Sequence, residues 1–278
     1  MIDFKEIIKQ TNKYNFHSHT QFCDARDKME DIVTEGIKEG FCHIGFTPHS
    51  PLPIESPCNM DVNDVELYLN EINRLREEYG DKINIYSSME IDYLNNEWNA
   101  SNSYFSNLSL DYRLSSIHFI PSLKDENVFI DVDGSHENFK EKMQKFFDGD
   151  IKYVVDKFFD QTLQMIETGG FDVIGHFDKI GNNANSYQKD IEDEEWYRKK
   201  VREVFDAIMD YHYIVEINTK AFKEHNRFFP NERYFEWFNK YDCTILINSD
   251  VHFKDRINYG REEALSVLNK VITKTRKI

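Results

Sequence analysis

The chain has 278 residues, 40% hydrophobic and 30% charged, with 34 basic against 50 acidic side chains and a formal net charge of −16. That balance describes a globular chain able to bury a sizeable core. It argues against an extended nucleic-acid surface, which needs clustered Lys and Arg, and no apolar run is long enough to span a membrane.

The N-terminus carries an early Asp3 and no apolar stretch of signal-peptide type, so a cytoplasmic protein is expected. Cys23, Cys42, Cys58 and Cys243 form no Cys-x-x-Cys pair and are expected to be free thiols, with Cys23 beside the candidate site.

The first predicted strand lies in "YNFHSHTQFCD", residues 14–24. Alternate strand residues share a face with Cα atoms roughly 6.5 Å apart, so His17 and His19 can hold one metal ion from the same side. "CHIGFTPHS" predicts the second strand. The spacing of Val65, Leu69, Ile72, Leu75 and Tyr79 predicts a helix over 61–80, with Asn63 and Glu66 as a capping box and Gly80 at its end. "INIYSSMEID" reads as the third strand. Residues 92–110 are polar and aromatic and predict only a poorly formed helix. "YRLSSIHFI" is the fourth strand, and 121–149 reads as an insertion in which "GSHENF" opens a helix. A second amphipathic helix over 151–170 stops at a Gly pair. "FDVIGHFD", "YIVEINT" and "CTILINSDVH" complete the strands. With no repeat, low-complexity tract or linker, one domain over 1–278 is expected.

Strand alternating with helix implies parallel strands and crossover connections, and about seven such units favour a closed or nearly closed barrel. Nearly every predicted strand ends in a metal-binding type: His17 and His19, His49, Glu90, His118, His176, Glu216, then Asp250 and His252. Six of the ten histidines fall at these ends, where parallel α/β barrels place their sites. Imidazoles mixed with carboxylates suit Zn, Mn or Fe. The surplus of ligands calls for two or three ions, which together activate water and clamp a phosphoryl group.

In this order and spacing, "FHSHT", "GFTPHS", "SSMEID", "SSIHF", "IGHFD" and "NSDVH" resemble the motifs of the PHP (polymerase and histidinol phosphatase) superfamily, and within it the stand-alone histidinol-phosphatase branch. The resemblance runs from about residue 14 to 260. It implies a distorted seven-stranded (β/α) barrel, TIM-like, with a trinuclear site. His17, His19, Glu90 and Asp250 would hold the first ion, and Glu90 would bridge to a second completed by His118 and His176. His49 and His252 would hold the third with Asp24, from a loop where some relatives have a histidine.

The reaction so implied is hydrolysis of a small phosphate monoester, L-histidinol phosphate first, by a metal-bridging hydroxide, with Asp250, Glu90 and His252 as the catalytic groups. Lys179, Lys220 and Arg227 are candidates for the substrate phosphate. Glu216 and Asn218 share a strand face and either reach the site or orient its ligands. His43, His136, His212 and His225 match no pattern and read as packing or surface groups. Two alternatives stay open: a PHP-type phosphoesterase for a nucleotide, phosphotyrosine or nucleic acid, and a non-catalytic, metal-stabilised binding protein.

Overall fold

A computed structural model describes residues 2–275. The strands are short: β1 Tyr14–Asn15, β2 His43–Phe46, β3 Asn84–Ser87, β4 Glu90–Asp92, β5 Leu114–Ser116, β6 Phe119–Pro121, β7 Phe129–Asp131, β8 Val173–Ile174, β9 Ile214–Asn218 and β10 Ile245–Asn248. One parallel sheet runs β1-β2-β3 and another β10-β9-β8-β5-β4. Isolated parallel bridges join them on both sides, Ser18 to Val251 and His49 to Glu90. The helices between the strands make the α/β alternation read from the sequence.

The first strand is shorter than its sequence run because side chains take over the ladder. The Phe16 N–H donates to Asn248 Oδ1 at 2.8 Å and the Ser18 N–H to Thr47 Oγ1 at 3.1 Å. The expected third strand divides into β3 and β4 at Ser88 and Met89. There the buried Tyr68 hydroxyl lies 3.0 Å from the Phe46 carbonyl and 2.8 Å from that of Ser88, and it accepts from the Ser88 N–H at 3.1 Å. Tyr68→Phe leaves these buried groups short of a partner. It is expected to lower the free energy of unfolding by ~1–3 kcal/mol in urea titration; an unchanged midpoint would show that the hydroxyl is not holding the break.

The helix read over 61–80 is α-helical over Val65–Tyr79, and the expected Asn63 cap gives way to Asp61. The Asp61 carboxylate accepts from both the N–H and the Nδ2 of Asn63 at 2.8 Å, which closes a 3₁₀ turn, Val62–Asp64, ahead of the helix. The second amphipathic helix, Ile151–Thr168, starts on Asp150, whose side chain accepts from the Tyr153 N–H, and stops where Gly169 and Gly170 take positive φ. The 121–149 insertion is the antiparallel β6–β7 hairpin plus a helix, His136–Phe146, capped by Ser135. Residues 92–110 hold one short helix, Ser103–Ser106.

The larger apolar core lies between strands and helices. A second cluster of Phe4, Tyr14, Phe16, Tyr112, Leu114, Val173 and Leu246 gathers residues at or near the strand starts. Gly45 is required there, because a Cβ would stand 2.1 Å from the Tyr112 hydroxyl. Apolar packing thus fills one end of the strands and leaves the other to polar groups.

Candidate metal centre

At and just beyond the carboxyl ends of these strands, eight side chains gather around Glu90. Its carboxylate is buried, with Oε2 3.3 Å from His17 Nε2, 3.4 Å from His19 Nε2 and 3.3 Å from His49 Nδ1. The other oxygen, Oε1, lies 2.8 Å from His176 Nε2 and 3.5 Å from His118 Nε2. Asp250 Oδ1 is 3.0 Å from His19 Nε2 and 3.8 Å from His17 Nε2. Asp250 reaches inward because its backbone turns through the left-handed region, φ +53, which Asp tolerates better than most residues. At the outer side, Asp24 Oδ1 is 3.3 Å from His19 Nδ1 and Asp24 Oδ2 is 3.2 Å from His252 Nε2.

Three groups in this assembly have ligand atoms within 4.8 Å of one another: His17, His19 and Asp250; Glu90, His118 and His176; and His19, Asp24, His49 and His252. A fourth, His49, Asp92 and His118, overlaps them. Nitrogen mixed with carboxylate oxygen is the donor set of a borderline divalent ion. Among the described residues, His17 Nε2, His49 Nδ1, His118 Nε2, Glu90 Oε2 and Asp24 Oδ1 are buried without a hydrogen-bond partner. Buried polar atoms are rarely left so, and these all point into the cluster. The residues present fit divalent ions.

The ring orientations are set from behind. His17 Nδ1–H donates to Glu216 Oε1 at 2.7 Å and His118 Nδ1–H to Asp92 Oδ1 at 2.8 Å, so each ring turns its Nε2 inward. Glu216 also accepts from the His176 N–H, Asn248 and Asn218, and Asn218 Nδ2 donates to Asp250 Oδ2 at 3.0 Å. Asp92 was not singled out by the sequence reading. Its signal is its place two residues after Glu90, on the same face of a strand.

Burial disfavours charge on His17, yet the Glu216, Asp250 and Glu90 carboxylates outweigh it and raise the imidazole to about 10. Against the same burial, His19 is held well up by Asp24 and Asp250. Burial, reinforced by the neighbouring His19 charge, keeps His49 well below its usual range. Glu90 is driven down against its own burial by His17, His118 and His49. The centre is a buried cluster of carboxylates edged by imidazole.

A cavity of about 240 Å³ opens onto it, lined by Asp24, His49, His118, Lys220 and His252, by Phe119 of β6 and by Asp131 and Asp133 of the insertion. Lys220 Nζ lies 3.2 Å from His252 Nε2 and 3.4 Å from Asp250 Oδ1. Lys179 is turned to Asp133 Oδ2, 2.7 Å away, and stays charged beside it. Arg227, expected at the phosphate, does not line this cavity. It is buried, with Nη1 2.7 Å from Glu192 Oε2 and Nη2 3.2 Å from Asp178 Oδ2, since an arginine so enclosed must be paired.

The remaining histidines stand apart. His43 bonds the Tyr86 hydroxyl, the His136 and His225 rings meet tilted with centroids 4.8 Å apart, and the exposed His212 takes a positive φ. His225 ends a short helix, Phe222–His225. The four cysteines are free, with Cys23 Sγ 3.6 Å from His19 Nδ1. No helix among the described residues is long and apolar enough to cross a membrane.

Parallel α/β architecture with a His/Asp/Glu centre at the strand ends defines a class of proteins built to hold divalent ions. The chain belongs to the PHP domain family, whose model matches residues 15–220. It is 28% identical over 274 residues to a "Probable histidinol-phosphatase" of Schizosaccharomyces pombe, covering 91% of this chain and 85% of that one. A Listeria monocytogenes crystal structure bearing the histidinol phosphatase name superposes with a TM-score of 0.80 at 21% identity, covering 90% of this chain and 99% of that one. The Lactococcus lactis histidinol phosphate phosphatase, complexed with zinc, L-histidinol and phosphate, gives 0.68 at 20%, covering 94% of each.

Proposed function

We propose that this protein hydrolyses L-histidinol phosphate to L-histidinol and phosphate, a step of histidine biosynthesis, at a centre of divalent ions. The convergence of five imidazoles on the two oxygens of Glu90, inside a PHP chain, carries this reading. The relatives named above supply the substrate. With β3 and β4 counted as the one strand expected from the sequence, we read the two bridged sheets as one distorted seven-stranded (β/α) barrel, and residues 1–278 as a single cytoplasmic domain.

His17, His19, Glu90 and Asp250 would hold a first ion, Glu90, His118 and His176 a second, and Asp24, His49 and His252 a third. Zn, Mn or Fe in these places would lend Lewis acidity to the phosphoryl oxygens and acidify water. The chain's own work is placement. Glu216 and Asp92 fix the tautomers of His17 and His118, and Asn218 holds Asp250 in its left-handed turn. Lys220 brings positive charge to the cavity wall, where a phosphate dianion must dock. Asp131, Asp133 and Phe119 line the same cavity and offer carboxylates and a ring face to an ammonium and an imidazole. This composition suits a small zwitterionic phosphomonoester better than a polyanionic strand, which the net charge of −16 would repel.

The test is phosphate release from L-histidinol phosphate, from other phosphomonoesters including nucleotides and phosphotyrosine, and from short single-stranded DNA, before and after chelation and with Zn²⁺, Mn²⁺ or Fe²⁺ restored. A large kcat/KM preference for histidinol phosphate, abolished by chelation and returned by metal, is expected. Metal-dependent turnover of another substrate would discard the substrate assignment, and no turnover with any metal would favour the binding-protein alternative. In a separate measurement, Asp24→Ala is expected to lose about one bound ion by elemental analysis, because a ligand is removed outright. Retention of every ion would remove Asp24 from the ligand set.

A further inference from the structure

The outer ligand group differs in kind from the inner ones. The side chains of His17, His19, Glu90, His118, His176 and Asp250 are at most 5% exposed, whereas those of His49, His252 and Asp24 are 11%, 12% and 26% exposed. His49, His252 and Asp24 all line the cavity. His252 Nδ1 lies 3.0 Å from the backbone carbonyl of Asp250 and 3.3 Å from the Asp250 carboxylate, itself an inner ligand, whereas His17 has the separate Glu216 carboxylate behind it. Its inward nitrogen faces both Asp24 Oδ2 and the Lys220 ammonium, each 3.2 Å from Nε2, and that ammonium is also 3.4 Å from Asp250 Oδ1.

An ion on His252 Nε2 would sit about 2.0–2.2 Å from that atom. An ammonium and a divalent cation cannot both occupy the space in front of one lone pair, since their repulsion there is severe. We propose that Lys220 and the outer ion are alternative occupants of the His252 Nε2 position, so that Lys220 makes the outer ion the exchangeable one and swings into the substrate cavity when that ion binds. The inference rests on the metal-centre reading above and adds a coupling to it. The Lys220 side chain is 35% exposed and on the cavity wall, so it has room to leave. Its displaced charge would then face the cavity, where the phosphate is expected.

The measurement is Zn²⁺ binding to the metal-stripped protein by competition with a chromophoric chelator, resolving the successive steps, for wild type, Lys220→Met, Lys220→Arg and Asp24→Ala. Asp24→Ala marks the outer step by removing it. Lys220→Met is expected to tighten that step at least about tenfold, a conservative allowance for removing an ammonium beside a divalent ion, and to shift the tighter steps less, through the 3.4 Å contact with Asp250 alone. Lys220→Arg, which keeps the charge, is expected to bind closer to wild type than Lys220→Met does. An outer step identical in wild type and Lys220→Met, with Asp24→Ala still abolishing it, would overturn the coupling and leave the metal centre standing. Absence of Zn²⁺ binding, or no change in Asp24→Ala, would overturn the outer site and the coupling with it.

Discussion

Glu90→Gln is expected to cost at least one bound ion and to lower kcat/KM by about 10³-fold or more, the scale set by losing a central electrostatic group at a water-excluded site. Five imidazoles approach Glu90, all within 3.5 Å of its two oxygens. The substitution keeps the shape and removes the charge. It also turns an N–H₂ toward nitrogens whose lone pairs are meant for cations, and a buried pocket cannot make good that loss with solvent. Elemental analysis alongside phosphate release checks it, with circular dichroism to show that the fold survives. A variant with its full metal complement and wild-type turnover would remove Glu90 from the centre of the site.

The sequence exposes this convergence because the ligands stand at strand ends, and a strand end is a place that alternation and length can locate. His17 and His19 share a face by period two, and "MEID" puts Glu90 and Asp92 on one face in the same way. The backbone that presents them is less legible. Strands of two residues, such as Tyr14–Asn15 and Val173–Ile174, are defined by side chains that replace ladder bonds, including Asn248 on the Phe16 N–H across 232 positions of sequence. No local pattern encodes that pairing.

The same limit explains Arg227. A basic residue after a strand end resembles a phosphate ligand in sequence, but Asp178 and Glu192, 49 and 35 positions away, claim its guanidinium. The helix start at Asp61 rather than Asn63 is a smaller case, decided by which of two Asx side chains, two residues apart, closes a turn first. Asp131 and Asp133 reach the cavity only because the insertion folds back as a hairpin.

Glu216→Gln tests the layer behind the ligands and is expected to give a graded result: kcat/KM lowered by roughly 10–100-fold, with ions still taken up at higher metal concentration. Four donors converge on this buried carboxylate: His17 Nδ1–H and Asn248 Nδ2 on Oε1, the His176 N–H and Asn218 Nδ2 on Oε2. A glutamine has one oxygen to offer them, so its amide must face two donors with a third, whichever way it is flipped. His17 then loses either its anchor or its tautomer, and through Asn218 the disturbance reaches Asp250. Because Glu216 touches the ligands and lies behind them, higher metal concentration should recover part of the activity in this variant, and little or none in Glu90→Gln. The check is activity against Zn²⁺ concentration for both variants side by side. If Glu216→Gln lost ions irrecoverably, as Glu90→Gln should, Glu216 would itself be a ligand. If it matched wild type at every concentration, the His17 ring would be held by packing alone.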